Sequence, residues 1–143
     1  MHGADPPAAD GPPLYAHVFR ARIPEIRRVL LAVEDRLASV SPDLANRAEL
    51  VLAELLSNIQ RHGGTKGPAR VALRLFWQAP GLRAEVIDDG RAVPPDCLIA
   101  PEPPLPLNLP ESGFGWSLIH HLVSELHYRR GEGYNVLRFR VPP

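Results

Sequence analysis

Glu54, Asn58 and His62 recur at every fourth position in AELLSNIQRHGG, the stretch from 53 to 64. At about 100° of turn per residue, their side chains share one side of a helix in a stripe roughly 80° wide. The apolar stripe through Leu52, Leu55 and Ile59 lies beside it. A carboxylate, an amide and an imidazole therefore flank a buried face instead of pointing straight to water. A solvated rim would explain that pattern, but Asn in mid-helix carries a cost, because its side chain competes for backbone hydrogen bonds. A second group is EVIDDGRAVPPD, where an apolar strand ends on Asp88-Asp89-Gly90. A carboxylate there, next to a glycine that lets a ligand approach the backbone, suits recognition of an exocyclic amine. Adenine presents that donor; guanine presents an acceptor in its place and would be repelled. An ordinary Asp-Gly turn is the alternative. The third group is SGFGWSLIHHL, with Gly113 and Gly115 ahead of a predicted helix. Free first-turn N–H groups and the partial positive charge of a helix start accept phosphates, although capping alone would account for one glycine.

These residues need elements to position them. LYAHVFRAR (14–22) reads as a first strand at a sheet edge. An amphipathic helix follows from Ile23, with Pro24 in its first turn and Ile26, Leu30, Val33 and Leu37 at three-to-four spacing. Ser41 as N-cap and Pro42 at the first helical position open a second helix, whose stripe runs through Leu44, Ala48, Leu52, Leu55 and Ile59 to a C-cap at Gly63. A strand pair spans 69–90, with Val71, Leu73, Leu75 and Trp77 on one face and a turn around Pro80-Gly81. The Pro-rich run 93–113 predicts a long loop without regular helix or central strand. GFGWSLIHHLVSELH predicts a helix, and the chain closes on a hairpin turning near Gly131 and Gly133. Hairpins plus helices predict an α+β two-layer sandwich, with a mainly antiparallel sheet and helices on one face.

Composition narrows the function classes. The 143 residues fit one domain, with an apolar fraction of 45% and a charged fraction of 22%. Lys+Arg and Asp+Glu balance at 16 each, so no global field draws the chain to nucleic acid or an anionic membrane. No apolar run approaches the roughly 18 residues of a membrane span. The single Cys97 excludes an internal disulfide and fits a reducing cytoplasm. Residues 1–13, polar and rich in Pro, read as a disordered tail ahead of a domain over 14–143.

The order and separation of the three groups form a set. ELLSNIQRHG, VIDDGRAVPPD and SGFGWSLIHHLVSELHYRRGEGYNVLRF resemble the N-box and the two glycine boxes of the GHKL superfamily, which includes gyrase, histidine kinases and MutL. The resemblance covers residues 14–141 and is nearest to the anti-sigma-factor serine/threonine kinases of the RsbW and SpoIIAB kind. It implies the Bergerat ATP-binding fold, ATP and Mg²⁺ as cofactors, and a lid over about 94–112. It implies Asn58 as Mg²⁺ ligand, Glu54 as general base toward a partner's serine, and His62 further along the same groove. It also implies Asp88 with Gly90 at the adenine, Gly113, Phe114 and Gly115 at the phosphates, and the Asn135 region behind the adenine pocket. The implied partners are a sigma factor and a STAS-type antagonist, in a cytoplasmic protein that forms a homodimer as family members often do, through the first helix and arginines such as Arg20, Arg22, Arg27 and Arg28. Departures are Ala92 and Val93 after Gly90, Trp116 where Leu is usual, and a lid without a basic residue, which leaves the γ-phosphate to Mg²⁺, the helix end or an arginine such as Arg61. A catalytically weak module, a nucleotide-binding or nucleotide-free anti-sigma protein, is the alternative. A histidine-kinase catalytic domain is a third reading, with no helix bearing a phospho-acceptor histidine ahead of the fold.

Overall fold

The computed structural model describes residues 11–64, 66–100 and 111–143, and for 111–114 the backbone alone. The expected tail therefore lies almost wholly outside the described residues, as do most of the expected lid and the Phe114 side chain. Strand β1 (Tyr15–Arg20) leads into helices α1 (Ile23–Ala38) and α2 (Pro42–His62). Strands β2 (Arg70–Gln78) and β3 (Gly81–Asp88) follow, then helix α3 (Glu111–Leu122) and the hairpin of β4 (Ser124–Gly131) and β5 (Tyr134–Val141). The five strands form one antiparallel sheet in the order β1-β2-β3-β5-β4, the sandwich expected from the sequence.

The helices form where apolar spacing and end signals agree. In α1, Ile26, Val29, Val33 and Leu37 are buried and Pro24 occupies the first turn. The Glu25 carboxylate there also accepts from the Arg20 backbone N–H at 2.9 Å. Ile23, assigned to the apolar stripe, is instead 53% exposed, because it begins the helix before the chain reaches the core. Ser41 caps α2 as expected, its hydroxyl accepting from the Leu44 N–H at 3.3 Å; such a cap contributes about 1 kcal/mol. Asp43 in the first turn and Arg61 and His62 in the last complement the helix dipole.

One face of the sheet carries Leu73, Ala84, Val86, Leu137 and Phe139, all buried in one cluster with Val33, Leu37, Leu52, Leu55 and Ile119 of the helices. Truncating a side chain such as Leu55 to Ala would cost about 2–5 kcal/mol. Trp77, expected on the buried face, is 42% exposed because β1 pairs no further than Tyr15 with Leu75, which leaves Trp77 on an open strand edge.

Both ends of α3 depart from the sequence reading. The helix starts at Glu111, so Gly113 and Gly115 lie inside it rather than ahead of it. Packing of Ile119 and its neighbours on α2 outweighs a glycine cost of about 1 kcal/mol each. Within the expected loop, Pro95–Leu98 forms a 3-10 turn. At the other end α3 stops at Leu122, and the residues from Ser124 to His127, expected as helix, belong to β4. The open edge of β5 claims that segment through pairs such as His127 with Arg138, and an irregularity between Ser124 and His127, with Glu125 at φ 53°, absorbs the change of direction.

Candidate functional site

The C-terminal end of β3 and the last two turns of α2 frame a cavity of about 300 Å³. Leu55, Asn58, Ile59 and His62 line it from α2, and Asp88, Gly90 and the segment Arg91–Pro94 from β3 and beyond. Trp116 closes it from α3, and Asn135 and Leu137 from β5. Ile59 is only partly buried because it leaves the core stripe for the cavity wall. The three usual-family departures Ala92, Val93 and Trp116 are all lining residues.

Asp88 is a buried carboxylate in the cavity wall. It pairs with Asn135 across the β3–β5 ladder, and the two are 3% and 1% exposed. Asp88 Oδ1 accepts from Asn135 Nδ2 at 3.0 Å and from the Gly90 N–H at 2.8 Å. Among the described residues no donor reaches Oδ2, which leaves one acceptor for a ligand. Burial raises the Asp88 pKa above its ordinary 3.8, opposed by the Asn135 and Gly90 hydrogen bonds, with the Asp89 charge adding to the rise and Arg130 countering it. Gly90 is required here: a Cβ would sit 2.9 Å from Asp88 Oδ1 and 3.2 Å from the Gly63 carbonyl oxygen.

Asn135 is fully satisfied, which fixes its orientation. Its second N–H goes to the Arg91 carbonyl at 2.8 Å. Its oxygen accepts from the Tyr128 hydroxyl at 2.5 Å and from Arg130 Nη1 at 3.0 Å. Arg130 Nη1 also donates to the Gly90 carbonyl at 2.7 Å, and the Val93 N–H donates to the Tyr128 hydroxyl at 3.1 Å. Tyr128 and Arg130 thus hold the loop after β3, a role the sequence reading missed. Their alternation on β4 was the available signal, obscured by the helix expected to run up to that point.

On α2 the stripe divides. Asn58 and His62 line the cavity, and His62 is exposed. Glu54 does not line it; it lies beneath α3, where a Cβ on Gly115 would come within 2.8 Å of Glu54 Oε2. Asn58 is 7% exposed, and its oxygen accepts from Arg61 Nη2 at 2.5 Å. Its Nδ2 is buried without a partner among the described residues, an omission that costs about 1–3 kcal/mol. Gly115 is the fifth residue of α3, beyond the four N–H groups a helix leaves unpaired, whereas Gly113 is among them. His120 Nε2 lies 2.7 Å from the Cys97 carbonyl; facing an acceptor, it is the protonated nitrogen, and it ties α3 to the 3-10 turn. Burial pushes the Cys97 thiol up, and the Asp96 charge adds to the rise.

The cavity fits an aminopurine: apolar walls, a purine-scale volume and a buried carboxylate, Asp88, one of whose oxygens has no donor among the described residues. The fit to Mg²⁺ is different. Asn58 has the oxygen type that Mg²⁺ takes, but Arg61 holds that oxygen. Among the described residues no three His, Cys, Asp or Glu side chains gather as a metal site.

A family model for the histidine kinase-like ATPase domain matches residues 20–141. Among solved structures, the chain is similar to the catalytic domain of the histidine kinase ThkA in two nucleotide-free orthorhombic forms. The first has a TM-score of 0.51 at 17% identity, covering 90% of this chain and 97% of that one. The second has a TM-score of 0.50 at 17% identity, with 90% and 95% covered. At that identity the likeness speaks for the fold alone. No curated protein matches the chain. With the family match running over nearly all of the sheet and helices that build the cavity, the chain belongs to the histidine kinase-like ATPase domain family and is a GHKL-type, ATP-binding, kinase-like domain.

Proposed function

We propose that this domain is a serine/threonine protein kinase of the anti-sigma-factor type, which binds a sigma factor or similar regulator and phosphorylates a STAS-type antagonist. The observation that carries the nucleotide part is Asp88, a buried carboxylate with one oxygen held by Asn135 and Gly90 and the other without a donor at the cavity. Asp88 Oδ2 would accept from the adenine amine, and Gly90 would let the base approach. ATP, when bound, supplies the phosphoryl group. Leu55, Ile59 and Trp116 would exclude water around the base. Glu54 would take the proton from the attacking serine hydroxyl, the role its type and helix position suit. The kinase class and the partners rest on the resemblance of the three sequence boxes. A cytoplasmic setting and a homodimer belong to the same proposal; among the described residues no helix is long and apolar enough to cross a membrane.

A second reading is favoured by two contacts. Glu54 packs against Gly115, and Arg61 occupies the Asn58 oxygen. In that arrangement the domain is a nucleotide-binding regulatory module with little transfer activity. Calorimetry with ATP, with and without Mg²⁺, followed by a radiolabel transfer assay on STAS-domain candidates, separates the readings. Binding with Glu54-dependent transfer supports the kinase. Binding without transfer supports the module, and no binding in either condition removes the kinase and leaves a nucleotide-free binding module.

A further inference from the structure

The sheet face turned away from the helices is built differently from a solvated surface. The register places Val18, Ala72, Ile87 and Val136 in one row across β1, β2, β3 and β5. Val18 is 60% exposed and the other three are half-buried. On one side of this apolar row lie Arg20 and Arg70, paired across β1 and β2. On the other side lie Arg74 and Arg138 flanking Glu85, and beyond them Arg83 and Arg140. Arg129 ends the apolar row on β4.

Among the described residues, seven arginines thus share this face with the carboxylates of Glu85, Asp89 and Glu125. The chain as a whole is neutral, so placement and not composition creates the excess. Glu85 is already saturated by Arg74 and Arg138. Arg83 is buried and already meets Gln78 and Glu125, so the exposed charge of this face lies with Arg20, Arg70 and Arg74.

We propose that this face docks an amphipathic acidic helix of a protein partner, with its apolar stripe on the row from Val18 to Val136 and its carboxylates on the flanking arginines. Strands lie about 4.8 Å apart, so the row spans about 14 Å, the length of roughly ten helical residues. A nucleic-acid backbone would match the arginines but leave the apolar row against charged phosphate. This surface lies on the opposite side of the sheet from the nucleotide cavity, so it stands independently of the kinase reading.

The test uses the full chain and a synthetic stapled helix of leucines at i, i+3, i+4 and i+7 flanked by glutamates, followed by fluorescence anisotropy. Binding that weakens with salt, and by at least about tenfold in Val18→Glu/Arg70→Glu, is the expected result. Val18→Glu alone, on an exposed edge strand, is expected to weaken it in the same direction. Unchanged circular dichroism and ATP binding in both variants show that fold and cavity are intact. Equal binding of a scrambled peptide of the same composition would overturn the proposal. So would tighter binding of duplex DNA or anionic phosphatidylserine vesicles that the same variants abolish. A wild-type dimer that Val18→Glu makes monomeric would assign the face to a second copy and overturn it as well.

Discussion

Asn135 donates to Asp88 across the centre of the sheet, and the 3.0 Å bond divides the carboxylate into one oxygen tied to the neighbouring strand and one without a donor among the described residues. The partition sets the expected behaviour of Asp88→Asn. An amide can replace the accepting oxygen, but its NH₂ would then oppose the amine of adenine. ATP affinity should fall at least about tenfold, some 1.4 kcal/mol, by calorimetry.

The same variant should not lose stability. The Asp88 pKa is raised in the fold, so its contribution is complete below the ordinary 3.8 and is lost as pH rises through the native value. Asp88→Asn should therefore match or exceed the wild-type Tm at pH 7, and the advantage should shrink as the pH is lowered.

Glu85 has the opposite sign. Burial alone would raise its pKa, but hydrogen bonds and charge from Arg74 and Arg138 outweigh burial and lower it from 4.5. Its contribution is present above 4.5 and lost as pH falls through the lower native value. Glu85→Gln should lower stability at pH 7 and flatten the acid limb of a Tm-against-pH curve.

Gly115→Ala should separate folding from transfer. Alanine favours the helix by about 1 kcal/mol, while its Cβ would press on Glu54 Oε2 at 2.8 Å, the movable end of a side chain. A Tm at or above wild type, with reduced transfer and retained ATP binding, is the expected outcome.

The two tryptophans provide a direct readout, because Trp116 lines the cavity and Trp77 is exposed at the end of β2. ATP titration should change the fluorescence of Trp77→Phe as it does the wild type. The change should vanish in Trp116→Phe.

Periodicity located α2 and its cap because one apolar stripe, Ser41 and Pro42 point to the same start. Asp88 was legible as a strand-end carboxylate, but its orientation depends on Asn135, 47 residues away in sequence and directly opposite in the sheet. Local signals do not carry such a pairing. Gly113 and Gly115 misled for a related reason: glycine lowers helix propensity, and only the contact with α2 overrides it. Likewise Asn58 was readable as an unusual polar residue, whereas the Arg61 bond and the unpaired Nδ2 appear only once side chains are packed.

The early start of α3 stores chain length. Coiled at 1.5 Å per residue, the four residues 111–114 advance about 6 Å; drawn out at roughly 3.3 Å each they would reach about 13 Å. One uncoiled turn would thus lengthen the connection between the Pro-rich segment and Gly115 by about 7 Å, without moving Ile119 from the core.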